Sequence, residues 1–90
     1  MEVEQDAQAS RFIGRIDGEV VAALDYRDDG TTVSMTRAFT NPAFRGRGLA
    51  AVITEHAVDR AEQDGRRVRA VCWYVAEWFD RHPDRQHLLA

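Results

Sequence analysis

Between residues 10 and 40 apolar and polar positions alternate in three runs, and after Gly48 the apolar spacing lengthens to three and four residues. Alternation marks half-buried strands; the longer period marks an amphipathic helix. The pattern predicts strands over 10–16 and 19–26, joined by Asp17-Gly18, a pair suited to a two-residue hairpin turn. In the second strand Val20, Ala22, Leu24 and Tyr26 share one face. After the turn Arg27-Asp28-Asp29-Gly30, a third strand runs from Thr31 to about Thr40. It sets Val33, Met35 and Phe39 on one side and Thr32, Ser34 and Thr36 on the other. Asn41-Pro42 ends it, because proline has no N–H to give a ladder.

From Gly48 or Leu49 to Asp64 a helical stripe is formed by Leu49, Val52, Ile53, Ala57 and Ala61, with Gly65 as its stop. Residues 66–72 alternate again, with Val68, Ala70 and Cys72 inward. Residues 73–81 return to a short helix that turns Val75, Trp78 and Phe79 inward and closes at His82-Pro83. The predicted order is β-β-β-α-β-α. It describes an α+β fold in which an antiparallel meander leads into a β-α-β unit, the last strand parallel to the third. Residues 1–8 are expected to be flexible.

Ninety residues suffice for one small domain, and an apolar share of 44% supplies one core. No run approaches the ~20 apolar residues of a membrane-spanning helix, and the acidic start is unlike a signal peptide. The expectation is a cytoplasmic protein with no membrane partner. A single cysteine, Cys72, excludes an internal disulfide and a cysteine-built zinc site. His56, His82 and His87 lack metal-ligand spacing, so no metal is expected. The net charge of −3 is uneven: residues 1–30 hold eight acids and three arginines, residues 31–70 seven arginines and four acids. The positive segment favours an anionic ligand. It is too thin for a nucleic-acid duplex, whose binders commonly neutralise ~6–10 phosphates.

That segment contains Arg45-Gly46-Arg47-Gly48-Leu49-Ala50, set between a strand and a helix. The first turn of a helix leaves N–H groups unpaired and carries partial positive charge, so an anion gains hydrogen bonds and charge together. Gly46 and Gly48 permit positive φ, Ala50 keeps the first turn slim, and Arg45 and Arg47 add charge-assisted donors. Phe44 either shields the site or staples the helix start. Alone, such a stretch also fits an ordinary turn or a contact with RNA phosphates.

The hexapeptide reads Arg-x-x-Gly-x-Ala, which resembles the pyrophosphate loop of the GNAT acetyltransferases. From Asn41 to Leu88 the chain is similar to the minimal, single-domain branch of that family. The likeness is carried by Ala43 to Ala50, then by Cys72-Trp73-Tyr74-Val75 and His82-Pro83. It implies acetyl-CoA as cofactor, an amine as acceptor, and a cofactor arm entering where the strands before and after the helix splay. It also implies that Cys72 lies near the thioester, as nucleophile or as packing, and that Tyr74 is the general acid. Relatives in this branch have His-Thr-Glu-Val before the loop, where this chain has Arg37 at the histidine and Phe39 at the glutamate. Arg37 and Phe39 are thereby assigned to the substrate cleft, without the bases found there in relatives. Arginine does not deprotonate at usable pH. The alternatives are an N-acetyltransferase or a non-catalytic acyl-CoA-binding or interaction module. Since most acceptor-holding elements of longer members are missing, a second copy or a partner is a candidate to complete the acceptor site.

Overall fold

The computed structural model describes residues 1–90. Five strands form one sheet in the order β1-β2-β3-β4-β5: β1 Glu2–Asp6, β2 Arg11–Ile16, β3 Glu19–Asp28, β4 Thr32–Thr40 and β5 Arg67–Ala70. Neighbours pair antiparallel except β4 and β5, which are parallel and joined by helix α1, Leu49–Gln63. A second helix, α2 (Trp73–Asp80), and a 3-10 turn over Pro83–Leu88 complete the chain. The mixed α+β class and the meander followed by β-α-β are as the sequence predicts. One strand is added: β1, in the stretch expected to be flexible. Val3 packs against the core, Gln5 Nε2 donates to the Tyr26 hydroxyl at 2.9 Å, and Glu4 pairs with Arg15 at 2.7 Å. No helix is long and apolar enough to cross a membrane.

Local chemistry sets the turns. Asp17 and Gly18 take φ of 50° and 80°, the doubly positive geometry whose twist matches a hairpin. Between β3 and β4, the Asp28 carboxylate accepts from Gly30 N–H, and the Asp29 carboxylate from Thr31 and Thr32 N–H. Those bonds, with Arg66 on Asp28, hold both carboxyls below their ordinary range.

Both helices cover the same face of the sheet. The fully buried side chains Leu24, Met35, Ile53, Val58, Val68, Val75 and Phe79 meet there. Each removes roughly 1.5–3 kcal/mol worth of apolar surface from water. Thr54, the one buried polar residue, donates its hydroxyl to the Ala50 carbonyl at 2.7 Å.

Two strands carry an extra residue. Tyr26 pairs with Met35 but Asp25 with Arg37, so Thr36 has no partner and β4 bulges there. Because side chains alternate strictly, one extra residue exchanges the faces beyond it. Val33 and Met35 point into the core as expected, whereas Ala38 and Thr40 inherit the helix side and Arg37 and Phe39 turn to the open face. This overturns the expectation that Phe39 shares a face with Val33 and Met35. In β3 the extra residue is Val21, since Gly14 pairs with Ala22 and Arg15 with Val20. Val21 is buried, and Val20, expected on the face of Ala22, Leu24 and Tyr26, stands exposed on the open face instead.

Replacing Ile53 by alanine is expected to cost about 2–5 kcal/mol in denaturant unfolding, while Val52→Ala, on the exposed side of the same turn, should stay within about 0.5 kcal/mol. The turn carboxylates predict an acid limb. Their folded pKa values lie below the unfolded ones, so their stabilisation is present above pH ~4 and is lost as pH falls through the lowered values. The double variant Asp28→Asn, Asp29→Asn should flatten that part of the stability–pH curve, and an unchanged curve would refute the assignment.

Candidate functional site

β4 runs out at Thr40, and Asn41 caps a 3-10 turn, Pro42–Phe44, its side chain accepting the Ala43 N–H at 3.0 Å. The chain then passes through Gly46 at φ 81° and Gly48 at φ 72° into α1. Neither glycine has an atom within 4 Å of where a Cβ would stand. Their requirement is conformational, and the space above them is open. Gly48 is the N-cap and gives no side-chain bond, and the first turn of α1 holds no acid. The first hydrogen bond of the helix is Val52 N–H to Gly48 C=O at 3.2 Å. The N–H groups from Gly46 through Ala51 donate to nothing in the protein.

Of these residues Gly46, Gly48, Leu49 and Ala50 border a cavity of about 350 Å³. Ala38 and Thr40 of β4 form one wall, Phe44, Arg45, Gly46 and Gly48 the mouth, and Leu49 and Ala50 the start of α1. Tyr74, from the first turn of α2, closes the far side. The opening exists because β5 stops short: its pairing ends at Met35 with Ala70, and the Val71 and Cys72 N–H groups both converge on the Met35 carbonyl, at 3.1 and 2.9 Å. Beyond the bulge, β4 is paired with β3 alone. The splay implied by the family resemblance is thus built from a bulge in one strand and the early end of its neighbour.

The candidate residues divide. Arg45 lines the cavity, but Arg47 lies over the Phe44 ring, its guanidinium carbon 5.0 Å from the centroid, and supports the mouth instead. Tyr74 is half-buried, and burial pushes its phenol above the usual value; nearby Arg81 lowers it and Glu77 raises it by smaller amounts. Cys72 does not reach the cavity. It caps α2 and is buried in the core with Val68 and Val75, the side its strand alternation gave it. Arg37 and Phe39 are also absent from the cavity. They line a second one, of about 180 Å³, on the open face with Arg11, Val20, Ala23 and Asp25. Conversely, Ala38 and Thr40 escaped sequence reasoning. The available signal was Arg37 itself, since a guanidinium in register with Val33 and Met35 is costly unless the strand turns it outward.

Residues 11–88 match the family described as GCN5-related N-acetyl-transferase. Protein NATD1 of Xenopus tropicalis is 31% identical over 88 residues, covering 96% of this chain and 81% of its own length. Among solved structures, a GCN5-like protein from Staphylococcus aureus superposes with a TM-score of 0.74 at 16% identity, over 99% of this chain and 87% of its own. Rv2747 from Mycobacterium tuberculosis, solved in complex with CoA and NLQ, superposes with a TM-score of 0.65 at 17% identity, over 86% of this chain and 50% of its own. With nearly the whole fold inside the matched range, the chain belongs to the GCN5-related N-acetyltransferase family.

Proposed function

We propose that this protein binds acetyl-CoA in the loop cavity and catalyses transfer of its acetyl group to an amine. One observation carries the reading: the N–H groups from Gly46 through Ala51 have no partner in the protein, and Gly46, Gly48, Leu49 and Ala50 line a cavity together with Arg45. A diphosphate fits that donor set, because it is anionic, rich in acceptors, and favoured at the positive end of a helix. The free edge of β4 from Arg37 to Thr40 gives an amide-bearing arm backbone partners, and Ala38 keeps that wall low. Binding of CoA by Rv2747, of the same fold, supports the assignment.

When bound, acetyl-CoA supplies an activated thioester. The chain's own residues do the rest. The loop holds the diphosphate, and Tyr74 keeps a proton on its phenolic oxygen beside the cavity, ready for a departing thiolate. A raised pKa suits that role, since the acid form persists throughout the physiological range. Cys72 packs the core beneath α2 and takes no part in transfer. A second reading, binding without turnover, is favoured by one fact: no carboxylate or imidazole lines the loop cavity.

Acetyl-CoA and CoA at about 100 times Kd should add ~2.7 kcal/mol of stability, seen as a clear rise in Tm, while ATP gives none. Gly48→Asp should remain folded, as aspartate tolerates positive φ better than most residues, but should lose the shift because its carboxylate occupies the donor cradle. A wild-type protein indifferent to every CoA species would refute the proposal. Tyr74→Phe should keep the CoA shift and lower the transfer rate by about 10²-fold. For the wild type, the rate that depends on protonated Tyr74 is present below its raised pKa and falls only above pH ~10. A Tyr74→Phe rate equal to wild type would remove the acid role, and no transfer by either protein would establish binding without turnover.

A further inference from the structure

The open face of the sheet carries a feature that acetyl-CoA binding does not use. Asp25 and Arg37 are direct partners across β3 and β4. The Asp25 carboxylate is nevertheless taken by Arg11 on the other side, Nε to Oδ1 at 2.7 Å. Arg37 is left without an ion pair or a hydrogen bond, facing the 180 Å³ cavity beside Phe39, Val20 and Ala23. Arg11 and Arg15 of the same meander are engaged, with Asp25 and with Glu4 at 2.7 Å, and Arg27, also unpaired, lies outside the cavity. Counting Arg11, Asp25 and Arg37, the cavity carries one positive charge in excess.

The cavity is amphipathic in a particular order. A planar, forked donor stands at one end, and an exposed ring, 42% accessible, stands two residues further along the same strand. Such a fork matches the two oxygens of a carboxylate, and the ring with Val20 and Ala23 offers an apolar wall for a short side chain. Both residues belong to the stretch of β4 whose other face borders the loop cavity. A ligand held here would lie across β4 from the proposed cofactor cavity.

We infer that this cavity is an acceptor subsite for amines that also carry a carboxylate and a small apolar group, with Arg37 as the specificity-determining residue. The inference rests on the acetyltransferase reading for the word acceptor, but binding at the cavity does not depend on it. Arg37 binds the carboxylate, Phe39 and Val20 hold the apolar group, and the amine is left free toward the edge of β4.

Leucine and isoamylamine differ only by the carboxylate and serve as the probe pair. Each is titrated into the protein, with and without saturating CoA, following backbone amide shifts of β3 and β4 by NMR. Wild type should bind leucine about tenfold or more tightly than isoamylamine, as a charged hydrogen-bonded contact implies. Arg37→Gln should erase that preference while leaving isoamylamine binding unchanged, and Arg37→Lys should restore part of it. Equal affinities for the pair, or an Arg37→Gln protein that keeps the preference, overturns the inference. The thermal shift with CoA reports separately on the loop cavity. A CoA shift without leucine preference therefore removes only this subsite, and leucine preference without a CoA shift removes only the acetyltransferase reading.

Discussion

The extra residue at Thr36 is the constraint on which the rest of the site depends. A strand that kept strict alternation would direct Arg37 and Phe39 into the helix-covered core and Ala38 and Thr40 away from it. One unpaired residue reverses that assignment halfway along β4, so the same strand contributes Val33 and Met35 to the core and then Ala38 and Thr40 to a ligand cavity. It also frees the carbonyl of Met35, the last β4 residue paired with β5, to accept two N–H groups as the chain turns into α2. Bulge, early end of β5 and start of α2 meet at Met35, on two strands and a helix.

The loop before α1 is the second half of the site, and its energetics explain its composition. A helix start usually recovers some cost of its orphan donors by an Asp, Ser or Thr at the N-cap. Here Gly48 offers nothing, no acid follows, and the donors remain exposed to solvent. With glycine at the cap, the loss relative to Asp, Ser or Thr is small, roughly a few tenths of a kcal/mol. What results is a set of donors with no internal competitor, as the proposed diphosphate site requires. Arg47 stacks on Phe44, which leaves Arg45 as the charged side chain among those lining the cavity.

Much of this was legible in the sequence, and the residues that were not share a cause. The hairpin at Asp17-Gly18, the stripe of Ile53, Ala57 and Ala61, the alternation of Val68, Ala70 and Cys72, and the glycine loop follow from short-range stereochemistry and periodicity. The bulges at Val21 and Thr36 do not. They depend on register with a neighbouring strand, which a periodic reading of one strand cannot contain. β1 was missed for a related reason: it offers one inward apolar residue, Val3, and is held by ladder bonds, the Gln5 to Tyr26 bond and the Glu4 to Arg15 pair. Cys72 shows the converse. Its burial was readable from alternation, and the family likeness drew it toward the chemistry; the core placement agrees with the alternation.

The two cavities on either side of β4 have opposite electrostatic construction, and that contrast follows from how each is walled. The loop cavity takes its positive character from Arg45 together with unpaired N–H groups and a helix end whose positions are fixed by the fold. Such donors lose little conformational entropy when a ligand arrives, which suits a cofactor of invariant structure. On the open face the charges sit on side chains, Arg11, Asp25 and Arg37, whose arrangement is set by which partner Asp25 takes. Changing one residue there alters the recognition chemistry without touching the core, because the bulge has placed Arg37 and Phe39 outside it. The strand that separates the cavities thus borders the loop cavity with Ala38 and Thr40 and presents Arg37 and Phe39 to the open face.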